Sequence, residues 1–118
     1  MGRKEYIRHL PTASVLSLGE HIAWQEGQIA SKTLAQNSHV SLTLFAFDKE
    51  EEISTHQSTG DAMIQVLAGK ARIMVGREFY TLSAGESILM PHDVDHAVYA
   101  VEPMKMLLTV VFPYEKGQ

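Results

Sequence analysis

Between Ala62 and Pro91 the chain reads Ala62-Met-Ile-Gln-Val-Leu-Ala68, Gly69-Lys70, Ala71-Arg-Ile-Met-Val75, Gly76-Arg77, Glu78-Phe-Tyr-Thr-Leu82, Ser83-Ala-Gly85-Glu86, Ser87-Ile-Leu-Met90, Pro91. Short apolar runs rich in Ile, Val, Leu, Phe and Tyr alternate with small clusters containing Gly. Runs of that length, bounded by turn residues, read as strands, because a helix of this amphipathicity needs a longer uninterrupted segment. Gly76–Arg77 leaves only two residues between Val75 and Glu78, which predicts a hairpin with a positive φ at the glycine.

The same grammar extends in both directions. Towards the C-terminus, Pro91–Asp93 breaks the chain again, His96–Val101 and Met104–Phe112 read as strands, Pro113 closes the last of them, and residues 115–118 read as a tail. Towards the N-terminus, Gln28–Ala35 and His39–Phe47 are strands separated by the polar cluster Gln36-Asn-Ser38, and the acidic run Asp48–Glu52 reads as a solvated loop. Residues 1–27 form an arm, with a short strand or extended segment over 14–18 that Gly19 interrupts. Helical periodicity is absent after residue 28. Eight or nine short strands with such turns predict an all-β sandwich or barrel: one domain over 1–118, with its core at about 28–112. The last strand is apolar on both faces, with Met104, Met106, Leu108, Val110 and Phe112 on one and Leu107 and Val111 on the other. Such a strand is buried on both sides, between sheets or at a subunit interface, and a homodimer is expected.

Composition narrows the function. The 118 residues are 45% hydrophobic and 20% charged, within the globular range. Ten Lys plus Arg against fourteen Asp plus Glu leave a net charge of −4, so there is no basic excess to displace counterions from a nucleic acid. No apolar run approaches the length of a membrane span, and Met1–His9 lacks the apolar core of a signal peptide, so a cytoplasmic protein without membrane contact is expected. The absence of cysteine excludes disulfides, thiolate metal sites and a thiol nucleophile. No Gly-x-Ser-x-Gly elbow and no phosphate-cradling glycine loop occur.

Two stretches carry a resemblance: His56-Gln-Ser-Thr-Gly-Asp-Ala62-Met-Ile-Gln-Val-Leu-Ala-Gly69, and Gly85-Glu-Ser-Ile-Leu-Met-Pro91-His-Asp-Val-Asp-His96. They resemble the two motifs of the cupin superfamily, small jelly-roll barrels of the double-stranded β-helix type, and the likeness covers roughly residues 40–112. Gly69, Gly85, Pro91 and His96 stand at the motif spacing. The departures fall elsewhere: Glu50 and Asp93 stand at positions where the family carries glycine, and Ala100 at its asparagine. Of the four metal ligands that the resemblance implies, His56 and His96 remain, while Ser58 and Ala62 stand where the family carries a second His and a Glu.

Alternation along a strand would turn His56, Ser58, Ala62 and Ile64 into the barrel, where His96 joins them at the base of a small, mainly hydrophobic pocket. Two imidazoles suit Fe, Mn, Ni or Zn but hold a metal weakly on their own. Asp61 is the candidate third ligand, provided that Gly60 permits a bulge that turns its carboxylate inward; the competing reading is a solvated turn aspartate. His92, in the turn near the barrel mouth, is a candidate for anion contact or acid–base work, or else plain surface. The expectation is a small-molecule-binding cupin with a divalent transition metal. A metal-free ligand-binding or sensor barrel, and a metal-dependent dioxygenase or isomerase acting on a small organic substrate, stay open beside it.

Overall fold

Alternation decides the architecture. Along Asp61–Ala68, Ala62, Ile64 and Val66 are buried while Asp61 and Met63 are exposed, a period of two that only an extended strand supports. The computed structural model, which describes residues 5–113, contains nine strands: β1 (Ile29–Gln36), β2 (Val40–Phe47), β3 (Glu52–His56), β4 (Asp61–Ala68), β5 (Lys70–Val75), β6 (Glu78–Ser83), β7 (Ser87–Met90), β8 (His96–Ala100) and β9 (Met104–Val111). They form a five-stranded sheet in the order β1-β2-β9-β4-β7 and a four-stranded sheet in the order β3-β8-β5-β6. All pairings are antiparallel, which makes the all-β jelly roll that the turn pattern predicts. The hairpin at Gly76–Arg77 forms, with Gly76 at a φ of 62° and Val75 paired to Glu78. The tail read over 115–118 lies outside the described residues.

Two local expectations change. Residues 14–18 are not a strand; the chain there is irregular and leads into a single 3-10 turn, Leu18–His21. The solvated acidic run ends sooner than its charges suggest, because Glu52 already belongs to β3. An edge strand with one face in solvent accepts such a residue at no burial cost.

The inner faces of the two sheets make one core. Phe47, Ile64, Val66, Met90, Met104 and Met106 pack against Ala71, Ile73, Leu82, Val98 and Ala100. Burying side chains of this size contributes about 1.5–3 kcal/mol each for the larger ones, against the entropy of ordering the chain.

A second cluster accounts for Leu107 on the other face of β9, whereas Val111, expected to be covered with it, is 58% exposed. Leu44 and Leu107, paired across β2 and β9, lie on the outer side of the five-stranded sheet with Leu34, and the arm covers them with Ile22, Leu18 and Leu10. Polar contacts pin the arm there. The Trp24 indole N–H donates to the Met104 carbonyl at 3.2 Å, the Lys105 ammonium donates to the Gly19 carbonyl at 2.7 Å, and the Arg8 N–H donates to the Leu34 carbonyl at 2.7 Å. The Lys105 ammonium also lies 4.4 Å from the centre of the Trp24 ring. A segment of the same chain therefore occupies much of the face from which a subunit interface was expected. No helix of the described residues is long and apolar enough to cross a membrane.

Candidate functional site

His56 ends β3 and His96 begins β8, and the two are cross-strand partners in the four-stranded sheet. The β3 register slips between Ile53 and His56, so Ser54 and Thr55 together face Ala97, and the extra residue brings His56 level with His96. Each imidazole folds back on its own chain in the same way. His56 Nδ1 lies 2.9 Å from the Ser54 carbonyl, and His96 Nδ1 lies 3.2 Å from the Val94 carbonyl, in both cases two residues upstream. The rings meet edge to face with centroids 4.2 Å apart, and their Nε2 atoms are 3.0 Å from one another. His96 is buried at 3% exposure, whereas His56 faces solvent.

This geometry favours one arrangement of the protons. A carbonyl oxygen only accepts, so both Nδ1 atoms are donors, and a neutral histidine protonated at Nδ1 has a bare Nε2. Two bare lone pairs 3.0 Å apart repel, and a metal ion held by both nitrogens would relieve that repulsion. Metal-binding histidines characteristically donate their other N–H to a carbonyl or carboxylate, and both rings are arranged in that way. Nε2 atoms at this separation are close enough for His56 and His96 to hold one metal ion together, were it bound. Burial pushes the His96 imidazole below its ordinary pKa, and charge on His56 lowers it further.

The remaining expected residues fall into other groups. Asp61 is not brought to the histidine pair. The β4–β9 register runs unbroken from Asp61 to Val66, so no bulge forms at Gly60, and Asp61 keeps the outward parity opposite to Ala62. Gly60 matters for another reason. A Cβ there would stand 2.5 Å from the Val111 carbonyl oxygen, so its lack of a side chain lets the loop press against β9. The Asp61 carboxylate instead takes both the backbone N–H and the ring Nδ1 of His92, at 2.9 and 2.8 Å. Those hydrogen bonds hold the Asp61 carboxyl below the usual carboxylate range and push the His92 imidazole up. His92 is thus oriented at the surface rather than aimed into the barrel. Ser58 is half-buried: its carbonyl accepts the Asp93 N–H at 2.8 Å, and its hydroxyl oxygen accepts the Gly60 N–H at 3.1 Å. Gln57 adds a bond to Asp95 at 2.8 Å, so three residues of the 57–61 segment stitch it to the 91–95 turn.

Ala62 and Ile64 do point inward, but into close packing, at 2% and 0% exposure, rather than into an open pocket. Ala62 pairs with Met90, one of the largest fully buried side chains, whose bulk belongs to the core in which Ala62 packs. A groove of about 510 Å³ lies on the outer side of the four-stranded sheet over Ala97 and is walled by Arg72, Met74 and Phe79. Nothing in the two motifs points to it, because it arises from cross-strand register. Among the described residues no third His, Cys, Asp or Glu joins His56 and His96 to complete a metal-ligand cluster. The carbonyls of Ser54 and Val94, which set the tautomers, also escape a reading of side chains.

Fold and site together describe a small jelly roll with a histidine pair contributed by two adjacent strands. The profile of the cupin domain family matches residues 43–112, and the chain belongs to that family. It is similar to a conserved protein of unknown function from Streptococcus pyogenes, with 39% identity over 97% of this chain and 100% of that one and a TM-score of 0.92. A cupin superfamily protein from Desulfitobacterium hafniense is 28% identical over 91% of this chain and 98% of that one, with a TM-score of 0.87. A cupin conserved-barrel domain protein from Leptotrichia buccalis is 35% identical over 81% of this chain and 47% of that one, with a TM-score of 0.79. No curated protein matches the chain.

Two backbone outliers fall at positions where the motif resemblance implies glycine. Glu50 and Asp93 both have a left-handed backbone, with φ of 69° and 60°. Both residues thus adopt a backbone region to which glycine is better suited. Glu50 holds it because its N–H donates to the Ala100 carbonyl at 2.8 Å, while the Ala100 N–H donates to the Glu51 carbonyl at 3.0 Å.

Proposed function

We propose that the protein is a small-molecule-binding cupin in which His56 and His96 hold a divalent transition metal (Fe, Mn, Ni or Zn) with two adjacent imidazoles. The observation that supports this reading is the pair of Nε2 atoms 3.0 Å apart, with both Nδ1 atoms turned to backbone carbonyls. The two strands position the rings, the carbonyls of Ser54 and Val94 fix their tautomers, and the 57–61 and 91–95 segments frame the approach. A bound metal would supply Lewis acidity or an O₂ site. With two protein donors most coordination positions remain for water or for donor atoms of the small molecule, so affinity for metal and for ligand would rise together.

Metal content decides the matter. Protein purified without chelators is expected to retain or take up close to one Co(II) or Zn(II) per chain, with cobalt absorption that shows nitrogen ligation and that disappears in His56→Ala/His96→Ala. Absence of binding after reconstitution, or binding that the double variant preserves, overturns the proposal. The first of those results would favour the metal-free ligand-binding barrel, a reading supported by the lack of a third donor among the described residues. Dioxygenase or isomerase activity on a small organic substrate would be pursued only once metal is found at the pair.

A further inference from the structure

The outer side of the four-stranded sheet is covered neither by the barrel core nor by the arm, and its relief is lopsided. In one cross-strand row Ala97 of β8 stands beside Met74 of β5, which stands beside Phe79 of β6, while Ser54 and Thr55 of the β3 bulge occupy the other flank. In this row the β3–β8 half is therefore low, floored by a methyl group and two short hydroxyl side chains, with Tyr99 of β8 rising beyond it in the next row. The β5–β6 half is high, built from a thioether and a phenyl ring that is 58% exposed. The difference in height makes the groove of about 510 Å³. The next row repeats the asymmetry in charge, with Glu52 on β3, Tyr99 on β8 and Arg72 on β5. Glu52 and Arg72 are two strand spacings apart, about 10 Å, and do not meet within the chain. The Arg72 guanidinium lies over the Phe79 ring at 4.5 Å, and neither charge has an ion-pair partner among the described residues.

We propose that this face is the contact between two copies of the chain, related by a two-fold axis that runs along the strands through the middle of the sheet. Rotation about that axis lays the high half of each copy on the low half of the other. Met74 and Phe79 then fill the hollow over Ala97 and the bulge, and each Glu52 comes to the side of the partner's Arg72. An axis across the strands would instead set high on high and like charge beside like charge, so relief and charge select the same orientation. A two-fold contact requires a surface complementary to itself, and that is the property described here. Met, Phe, Tyr and Arg are also the residues enriched at the centres of such contacts.

Charge reversal tests the orientation as well as the surface. Sedimentation or light scattering from about 1 to about 100 µM should give wild type the mass of two chains at the upper end, where a contact of this modest size associates. Arg72→Glu or Glu52→Arg alone places like charges together twice per dimer and is expected to weaken association at least about tenfold, whereas Glu52→Arg/Arg72→Glu restores it to within about threefold of wild type. These positions lie outside the core, and circular dichroism should show the same fold in all four proteins. Should a reversal fail to fold, Phe79→Lys takes its place and is expected to be a folded monomer. A wild type that stays monomeric overturns the proposal. So does a dimer equally tight in all the variants, or one lost only on Leu89→Glu in the other sheet.

Discussion

Replacing Gly69 with alanine, with Gly85→Ala as its control, separates two costs that usually arrive together. Both glycines have a left-handed backbone, with φ of 77° and 93°. An alanine in that region costs about 1–2 kcal/mol. The stiffer unfolded chain returns about 0.4–1 kcal/mol, so conformation alone predicts a loss of roughly 1 kcal/mol at either position. The surroundings differ. A Cβ on Gly85 would meet nothing within 4 Å, but on Gly69 it would lie 2.0 Å from the Pro103 carbonyl oxygen and 2.9 Å from the Met104 Cα. Ordinary C···O contacts are about 3.3 Å or longer, so the start of β9 must retreat by roughly 1 Å. Met104 is fully buried there, and its carbonyl accepts the Trp24 indole N–H, so the shift disturbs the core and the arm together. A total loss of about 3–5 kcal/mol is expected for Gly69→Ala, a large part of a typical stability of about 5–15 kcal/mol. At roughly 3–6 °C per kcal/mol for a chain of this size, thermal melting should fall by a few degrees for Gly85→Ala and by ten or more for Gly69→Ala. Equal losses in the two variants would refute the argument that Pro103 forms a rigid wall.

Four further outcomes are expected. Glu50→Gly relieves a left-handed glutamate and should raise stability by up to about 1 kcal/mol in urea melts, with Asp93→Gly gaining less because aspartate tolerates that region better. His92, followed by NMR, should titrate above its ordinary value and return towards it in Asp61→Asn; the pair's contribution to stability is lost as pH rises through the raised His92 pKa and as pH falls through the lowered Asp61 pKa. His96 has the opposite sign to His92: its folded pKa lies below the ordinary value of 6.5, so its contribution is complete above that pH and declines as pH falls towards the folded value, a decline that His96→Gln should flatten. Saturation with zinc at about one hundred times its dissociation constant should add about 2.7 kcal/mol, which EDTA removes and His56→Ala/His96→Ala never shows.

The strands were legible because their information is local. Short apolar runs, Gly-Lys, Gly-Arg and Pro91 mark their own ends, and eight of the nine strands follow from them. The exception, Glu52–His56, is a short edge strand with one half-buried residue, Ile53, and four exposed ones, so it carries no hydrophobic pattern to read. The meeting of His56 and His96 was legible through the spacing of the two motifs, not through either histidine alone. Asp61 was misplaced because its direction depends on whether one residue is inserted upstream, a matter settled by how closely Gly60 can approach Val111 and not by the residue types in the loop. The second apolar face of β9 is covered at Leu107 but not at Val111, which is 58% exposed; the cover over Leu107 lies some eighty residues earlier in the same chain, and no pattern within β9 distinguishes its own arm from another molecule.

The chain's single tryptophan sits on that arm and not in the barrel. Trp24 is 44% exposed, its indole N–H is tied to Met104, and an ammonium group faces its ring. Its emission therefore responds to the water and charge at the seam between arm and sheet, while far-ultraviolet dichroism responds to the nine strands. If the arm lifts before the sheets separate, the two signals will trace different curves, and one native side chain becomes a gauge of partial opening. Anyone who follows denaturation by fluorescence alone would be timing the release of the arm and recording it as the melting of the barrel.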